Sequence, residues 1–316
     1  MKKVAMLLFA AGMLLAQVLK PVQETHIKAA VLDMVAEGGK IYVATDASKV
    51  MVFDSDLKLL QTLSVRKVKD FLGTLNDADV YSVDVLGGAI LYLAQAEDGY
   101  AELYVYKEGK ARKVLDKSAK LYAKAAKFVD AHRAVIALMS DEVVLYDLDK
   151  QKIIKRAKAG EYFYSAMAID PARKFVAIGD EGGEVIVLDA ATLQRIKLFK
   201  DVNKDKILTL AATEHLVAAG SRADKVLALY SLRGTKPKTY QNPNFFIYVT
   251  ALSPDERWVL FGDNEKYILK IADTDTLGVH YELAGHHNIV NVARFLDAKT
   301  IISGSETGEI IKWRLP

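Results

Sequence analysis

The sequence predicts an all-β fold, a seven-bladed β-propeller. Three observations carry that reading: a strand, turn, strand, turn, strand pattern that recurs along the chain, an even spacing of the residue that ends its third strand, and small residues in the first strand of each copy.

The clearest copy lies near the carboxyl end. Leu283, Gly285 and His286 lead into an apolar alternation from Ile289 to Phe295, followed by Ile301-Ile302-Ser303-Gly304-Ser305 and then by Gly308-Glu309-Ile310-Ile311-Lys312-Trp313-Arg314. Branched and aromatic residues alternate with polar ones, and Gly304 to Gly308 supply the turn between two strands. Gly179 to Asp189 overlays Gly304 to Arg314 without a gap, Gly262 to Ala272 also fits, and Gly220 to Tyr230 is a copy with weaker turn residues. Taking the bulky residue that ends the third strand as marker gives Phe53, Tyr106, Tyr146, Leu188, Leu229, Ile271 and Trp313, at intervals of 53, 40, 42, 41, 42 and 42. Periods of about 40 to 45 residues with several short strands each belong to propeller blades, not to helical repeats. The residues after Ala16 divide into seven units of about 43.

The long first interval is assigned to an insertion from Arg66 to Asp79, expected as a surface loop or a short helical turn. First strands carry Ala29 and Ala30, Ser82, Ala125 and Ala126, Ala166 and Ala168, Ala211 and Ala212, Ala251 and Ala293. Small side chains suit the taper toward a central channel. Trp313 is followed only by Arg314, Leu315 and Pro316, which leaves the last unit without a fourth strand. Because an open strand edge invites aggregation, the segment Val18 to Ile27 is expected to pair with Glu309 to Leu315 and close the ring.

These residues resemble those of the WD-repeat propellers. Gly285-His286, Ser303 and Trp313 fall where that family places the side chains that bond across a blade, so the resemblance implies a structural relay through His286, Ser303 and Trp313. Thr307 stands at the turn position usually held by aspartate and Arg314 replaces the second letter of Trp-Asp, so the relay is expected to be incomplete. Other blades keep only an aspartate, at Asp54, Asp147 and Asp189, or neither residue. Size, leader and repeat layout are similar to the NapL group, exported propellers encoded beside periplasmic nitrate reductases. That resemblance implies an accessory role for a periplasmic reductase or its maturation factors, with no chemistry of its own.

The amino terminus supports export. Lys2 and Lys3 precede an apolar run from Val4 to Ala16, 13 residues long, which then gives way to Gln17, Lys20 and Pro21. This is the layout of a secretory signal peptide over residues 1–16, leaving 17–316 for the propeller. A bilayer-spanning helix needs about 20 apolar residues, so no stable membrane anchor is expected. Leu14 is bulky for a position near a cleavage site after Ala16. Loss of Lys2 and Lys3 takes the formal charge from +3 to +1, a poor basis for nucleic-acid attraction. The chain has no cysteine, which excludes thiol catalysis, Cys-ligated zinc and iron–sulfur clusters.

No motif for catalysis, metal or cofactor binding stands out. The histidines at 26, 132, 215, 280, 286 and 287 are dispersed, and adjacent His286 and His287 would face opposite ways on a strand. Asp141-Glu142 and Asp77 with Asp79 are read as solvent-facing turn acids. Gly179 to Glu184 is read as a hairpin turn, and Lys117, Lys120, Lys124 and Lys127 as a solvated basic edge. Tyr81, Tyr122, Tyr162, Phe163, Tyr164, Phe245, Phe246 and Tyr248 lie at or just before first strands, whose preceding loops gather on one face of a propeller. They are the candidate residues for binding a protein partner, since buried aromatics dominate interface energy. The expected function is a non-catalytic periplasmic scaffold or accessory protein. The alternatives are a channel-site enzyme of lactonase or quinone-dependent dehydrogenase type, disfavoured by innermost strands rich in alanine, and a sugar-binding propeller.

Overall fold

The computed structural model describes residues 16–234 and 236–316. The expected leader, apart from Ala16, lies outside them. Among the described residues strand dominates, and helix is confined to two short turns, Glu97–Gly99 and Lys117–Ala119. Seven antiparallel meanders form the blades, whose innermost strands are Val31–Glu37, Val80–Leu86, Ala123–Phe128, Tyr164–Ile169, Ile207–Ala212, Val249–Leu252 and Val290–Phe295. Innermost strands of neighbouring blades pack side by side except between blades three and four, where Arg133–Leu138 meets Tyr164–Ile169, and Val290–Phe295 packs on Val31–Glu37 to complete the ring.

The core is divided into seven apolar clusters, each shared by two adjacent blades. Second and third strands are therefore covered on both faces, and Ile41-Tyr42-Val43-Ala44 are all buried. Burial of one large aliphatic or aromatic side chain is worth about 1.5–3 kcal/mol, so blade-to-blade contact supplies most of the folding drive. Close approach of blades also explains a repeated glycine in second strands. A Cβ on Gly179, Gly220 or Gly304 would stand 2.7, 2.6 or 2.6 Å from Ile207, Ile247 or Val31 of the following blade.

Strand register corrects two markers. Tyr106, Tyr146, Leu188 and Trp313 face the second residue of their neighbouring strand, but in blades five and six that place belongs to Tyr230 and Ala272, not Leu229 and Ile271. The turns after Gly220 and Gly262 are one residue longer than those after Gly179 and Gly304, so a gapless overlay slips by one. Ala29 and Ala30 also sit just before the first innermost strand, not in it.

Closure uses two strands instead of one. Gln23–His26 pairs antiparallel with Glu309–Lys312 and completes blade seven, whereas Gln17–Leu19 runs parallel to Tyr281–Leu283 as a fifth strand on blade six. Pro21 breaks the segment between them and lies against Gly285, where an added Cβ would stand 2.9 Å from both Pro21 and Trp313. A proline cannot donate to a ladder, so the switch of blades falls there. The insertion from Arg66 to Asp79 is neither helical nor unstructured. Val68–Lys69 and Leu75–Asn76 pair as a hairpin, and Asp70 accepts hydrogen bonds from the Leu72 and Thr74 amides at 2.9 Å each, which fixes its tip.

Candidate functional site: one face of the ring

Successive strands alternate in direction, so the loops before innermost strands share a face with the turns between second and third strands. Ser48 illustrates the arrangement: its amide donates to Ala78 and its hydroxyl to Asp77, tying a turn of blade one to the base of the hairpin before blade two. On this face the channel opens into a cavity of about 580 Å³ lined by Asp79, Tyr81, Lys124, Met139, Phe163, Tyr164, Glu181 and Lys206, among others. Lys124 lies over the Tyr81 ring, 4.6 Å from its centroid, and Lys206 pairs with Glu181 at 2.9 Å. Burial raises the Asp79 carboxyl, with Asp46 adding to it; burial and Asp79 push the Tyr81 hydroxyl up to about 12.

The eight candidate aromatics divide into groups. Tyr81, Phe163 and Tyr164 line the mouth. Tyr122, packed on Tyr100 with centroids 4.8 Å apart, and Tyr162, seated on Gly182, lie on the same face and are exposed. Phe245 and Phe246 stack on each other at 4.4 Å with Tyr248 against their edges, and all three pack against the apolar cluster between blades six and seven. Tyr248 is buried, and of this group Phe245 lines a separate cavity of about 560 Å³ with Lys266 and Lys270. Sequence reading did not single out Phe71 and Leu72 at the hairpin tip, 96% and 77% exposed, nor Met139. Two adjacent large apolar residues within the Arg66–Asp79 insertion were the available signal.

Inside blade seven, Ser303 Oγ stands 2.7 Å from His286 Nε2 and accepts a hydrogen bond from Trp313 Nε1 at 3.0 Å. The other ring nitrogen of His286 meets Glu309 at 3.2 Å, so the acid of this relay comes from Glu309 and not from position 307. Thr307 Oγ1 instead sits 3.3 Å from Ser305 Oγ. Blade five builds an analogous network from different residues: Tyr230 donates to Asn203 at 2.7 Å and Asn203 to Ser221 at 3.0 Å. Asp54, Asp147 and Asp189 accept amide hydrogen bonds within the turns that follow them.

The channel is not lined by alanine alone. Asp33 of blade one accepts from Lys127 of blade three at 2.7 Å, from Arg294 of blade seven at 3.1 Å and from the Val83 amide of blade two at 3.1 Å. Asp84 of blade two binds Arg173 of blade four through both guanidinium ends, at 2.6 and 3.1 Å. Burial works against the Asp33 charge, but Lys127 and Arg294 outweigh it and hold the carboxyl below its usual range. Asp33, Lys127, Arg294, Asp84 and Arg173 stitch five blades together across the channel, and four of them border a cavity of about 440 Å³ at its other end.

Two further surface assignments change. Lys124 and Lys127 are not a solvated edge: one covers Tyr81 and the other is buried on Asp33. Asp141 is not solvent-facing but 1% exposed, and Asp180 is fully buried. His287 remains on the surface, bonded to Glu309 at 2.7 Å. Among the described residues no three His, Asp or Glu side chains converge as metal ligands.

Blade number, strand order and closure by the amino-terminal segment define a seven-bladed β-propeller. Neither a protein-family model nor a curated protein matches the sequence. Among solved structures the chain is similar to the β-propeller domain of Cps50 (Swd1) from Myceliophteria thermophila, with a TM-score of 0.74 over 94% of this chain and 99% of that one. Their sequences are 13% identical, a level at which the likeness speaks for the fold alone.

Proposed function

We propose that the protein is a non-catalytic scaffold that docks a protein partner on the face carrying the hairpin and the channel mouth. The observation behind this reading is the gathering of exposed Phe71, Leu72, Tyr122, Met139, Tyr162 and Phe163 on that one face. Exposed apolar residues concentrated in one region, rimmed by polar ones, mark interaction sites, and aromatic anchors supply most interface energy. A photo-crosslinking residue placed at Phe163 should capture one defined protein in cells, while the same residue at Ile196 on an outer strand should not. Identical capture at both positions, or none at Phe163 in abundant folded protein, would sink the reading.

We further propose that the protein is exported and serves a periplasmic reductase or its maturation factors. Lys2, Lys3 and the apolar run Val4 to Ala16 support export, and the overall resemblance to nitrate-reductase-associated propellers supports the partner class. Recovery from the periplasmic fraction with an amino terminus near Gln17 is the expected result; cytoplasmic protein with the leader intact would overturn this part alone.

A further inference from the structure

Beneath the aromatic rim of the mouth, Asp141 and Asp180 converge on Gly160. Asp141 ends the turn between the second and third strands of blade three, and Asp180 begins the corresponding turn of blade four. The loop Gly160 to Phe163, which carries Tyr162 and Phe163, crosses between them. One oxygen of each carboxyl lies within 3.0 Å of the place a Cβ on Gly160 would occupy, so the two carboxyls are neighbours. Asp141 Oδ2 accepts from the Gly160 amide at 2.6 Å, and Asp180 Oδ1 from the Gly182 and Glu184 amides at 2.9 Å. The remaining oxygens, Asp141 Oδ1 and Asp180 Oδ2, are buried and have no hydrogen-bond partner among the described residues.

The surrounding charges do not neutralise two carboxylates. Lys158, on the outer strand of blade three, is engaged by Glu161. Arg156 pairs with Glu142, and Lys206, from the loop before blade five, pairs with Glu181. Glu184 adds negative charge from the turn of blade four, and Tyr164, next to the loop, keeps its proton because burial and then Asp33 and Asp141 raise its hydroxyl. Two like charges this close in a buried site cannot both persist cheaply.

We propose that Asp141 and Asp180 hold one proton between them, and that losing it loosens the Gly160–Tyr164 loop and makes the aromatic rim of the mouth pH-sensitive. Burial first, with Asp180 and Glu184 adding to it against the Gly160 amide, raises the Asp141 carboxyl to about 7; burial likewise raises Asp180. The proton therefore belongs to the pair and leaves near neutrality. Loop and pair are mechanically linked, since the Gly160 amide bonds Asp141, the Glu181 amide bonds the Phe163 carbonyl at 2.9 Å, and the Tyr162 ring rests on Gly182. Consequences for docking rest on the reading of this face as a partner surface, whereas proton control can be measured on the free protein.

Hydrogen exchange of the segment 159–165, corrected for the intrinsic pH effect, is compared at about pH 5.5 and about pH 8.5. Protection should fall about tenfold or more at the higher pH in the natural chain and stay level in Asp141→Asn, whose amide mimics the protonated pair. Asparagine tolerates the left-handed backbone of position 141, where φ is 63°. Asp180→Asn, which keeps the turn acceptor, should also flatten the difference and serves if the first variant fails to fold. Carboxyl carbon NMR of the natural chain needs no variant and should show one titration near neutrality. Equal protection at both pH values, a fall retained in the variants, or both carboxyls titrating as ordinary surface acids would overturn the proposal. So would protection restored at high pH by calcium or magnesium, which would assign the pair to a cation.

Discussion

Gly308 presses its α-carbon against the backbone of Ile27, so closely that a Cβ there would stand 2.1 Å from the Ile27 carbonyl oxygen. Its φ of +90° is a glycine conformation, and its own carbonyl accepts the Ile27 amide at 2.9 Å. Gly308→Ala must therefore strain the backbone and displace the strand that closes blade seven. Left-handed strain alone costs on the order of 1–3 kcal/mol. Thermal unfolding should show a larger loss than Gly234→Ala, where φ is also +90° but the nearest atom is 3.8 Å away. Limited proteolysis should cut between Gln17 and Ala29 only in the first variant. Equal losses in the two variants would mean that closure contributes nothing beyond backbone strain.

Ser303 stands between His286 and Trp313, so its removal leaves two buried polar groups unpaired. Ser303→Ala should cost about 1–3 kcal/mol in urea unfolding. Burial lowers the His286 pKa from 6.5, against the opposing pull of Glu309. The unfolded chain then binds more protons at this residue than the folded one, and stability falls as the pH drops through about 6.5. His286→Gln should reduce that fall, and an unchanged pH profile would remove His286 from the account.

Among the described residues Asp33 is the only carboxylate paired with Lys127, and Asp84 pairs with Arg173 instead. Asp33→Asn leaves a buried ammonium without its countercharge, a change that costs about 3–5 kcal/mol. Lys127→Met in the same chain should restore part of the loss, and a double-mutant cycle by chemical denaturation measures the coupling. Additive effects would show that the pair is not coupled across the channel.

Particular residues show where sequence reading worked and where it failed. His286, Ser303 and Trp313 lie within one blade, 17 and 10 residues apart, and a local motif picks them out. Glu309 was passed over because the motif assigns the acid to the turn position, two residues earlier. Asp33 and Arg294 are 261 residues apart, and Asp84 and Arg173 are 89 apart; nothing in the spacing of either pair marks them as partners. Asp141 reads as a turn acid from its neighbours and is buried where the Gly160 segment and Asp180 of the following blade meet it.

Blade number, strand alternation and the need for a closing strand were determined by the sequence alone, because each depends on local periodicity: two residues per strand repeat, about 42 per blade. The division of the amino-terminal segment between blades six and seven, the charge network across the channel and the acid pair under the aromatic loop were decided by tertiary structure. Curling seven meanders into a ring sets the angle at which each side chain meets the axis or its neighbouring blade. Electrostatic partnership depends on that angle and on the water excluded there, neither of which is encoded in any one repeat.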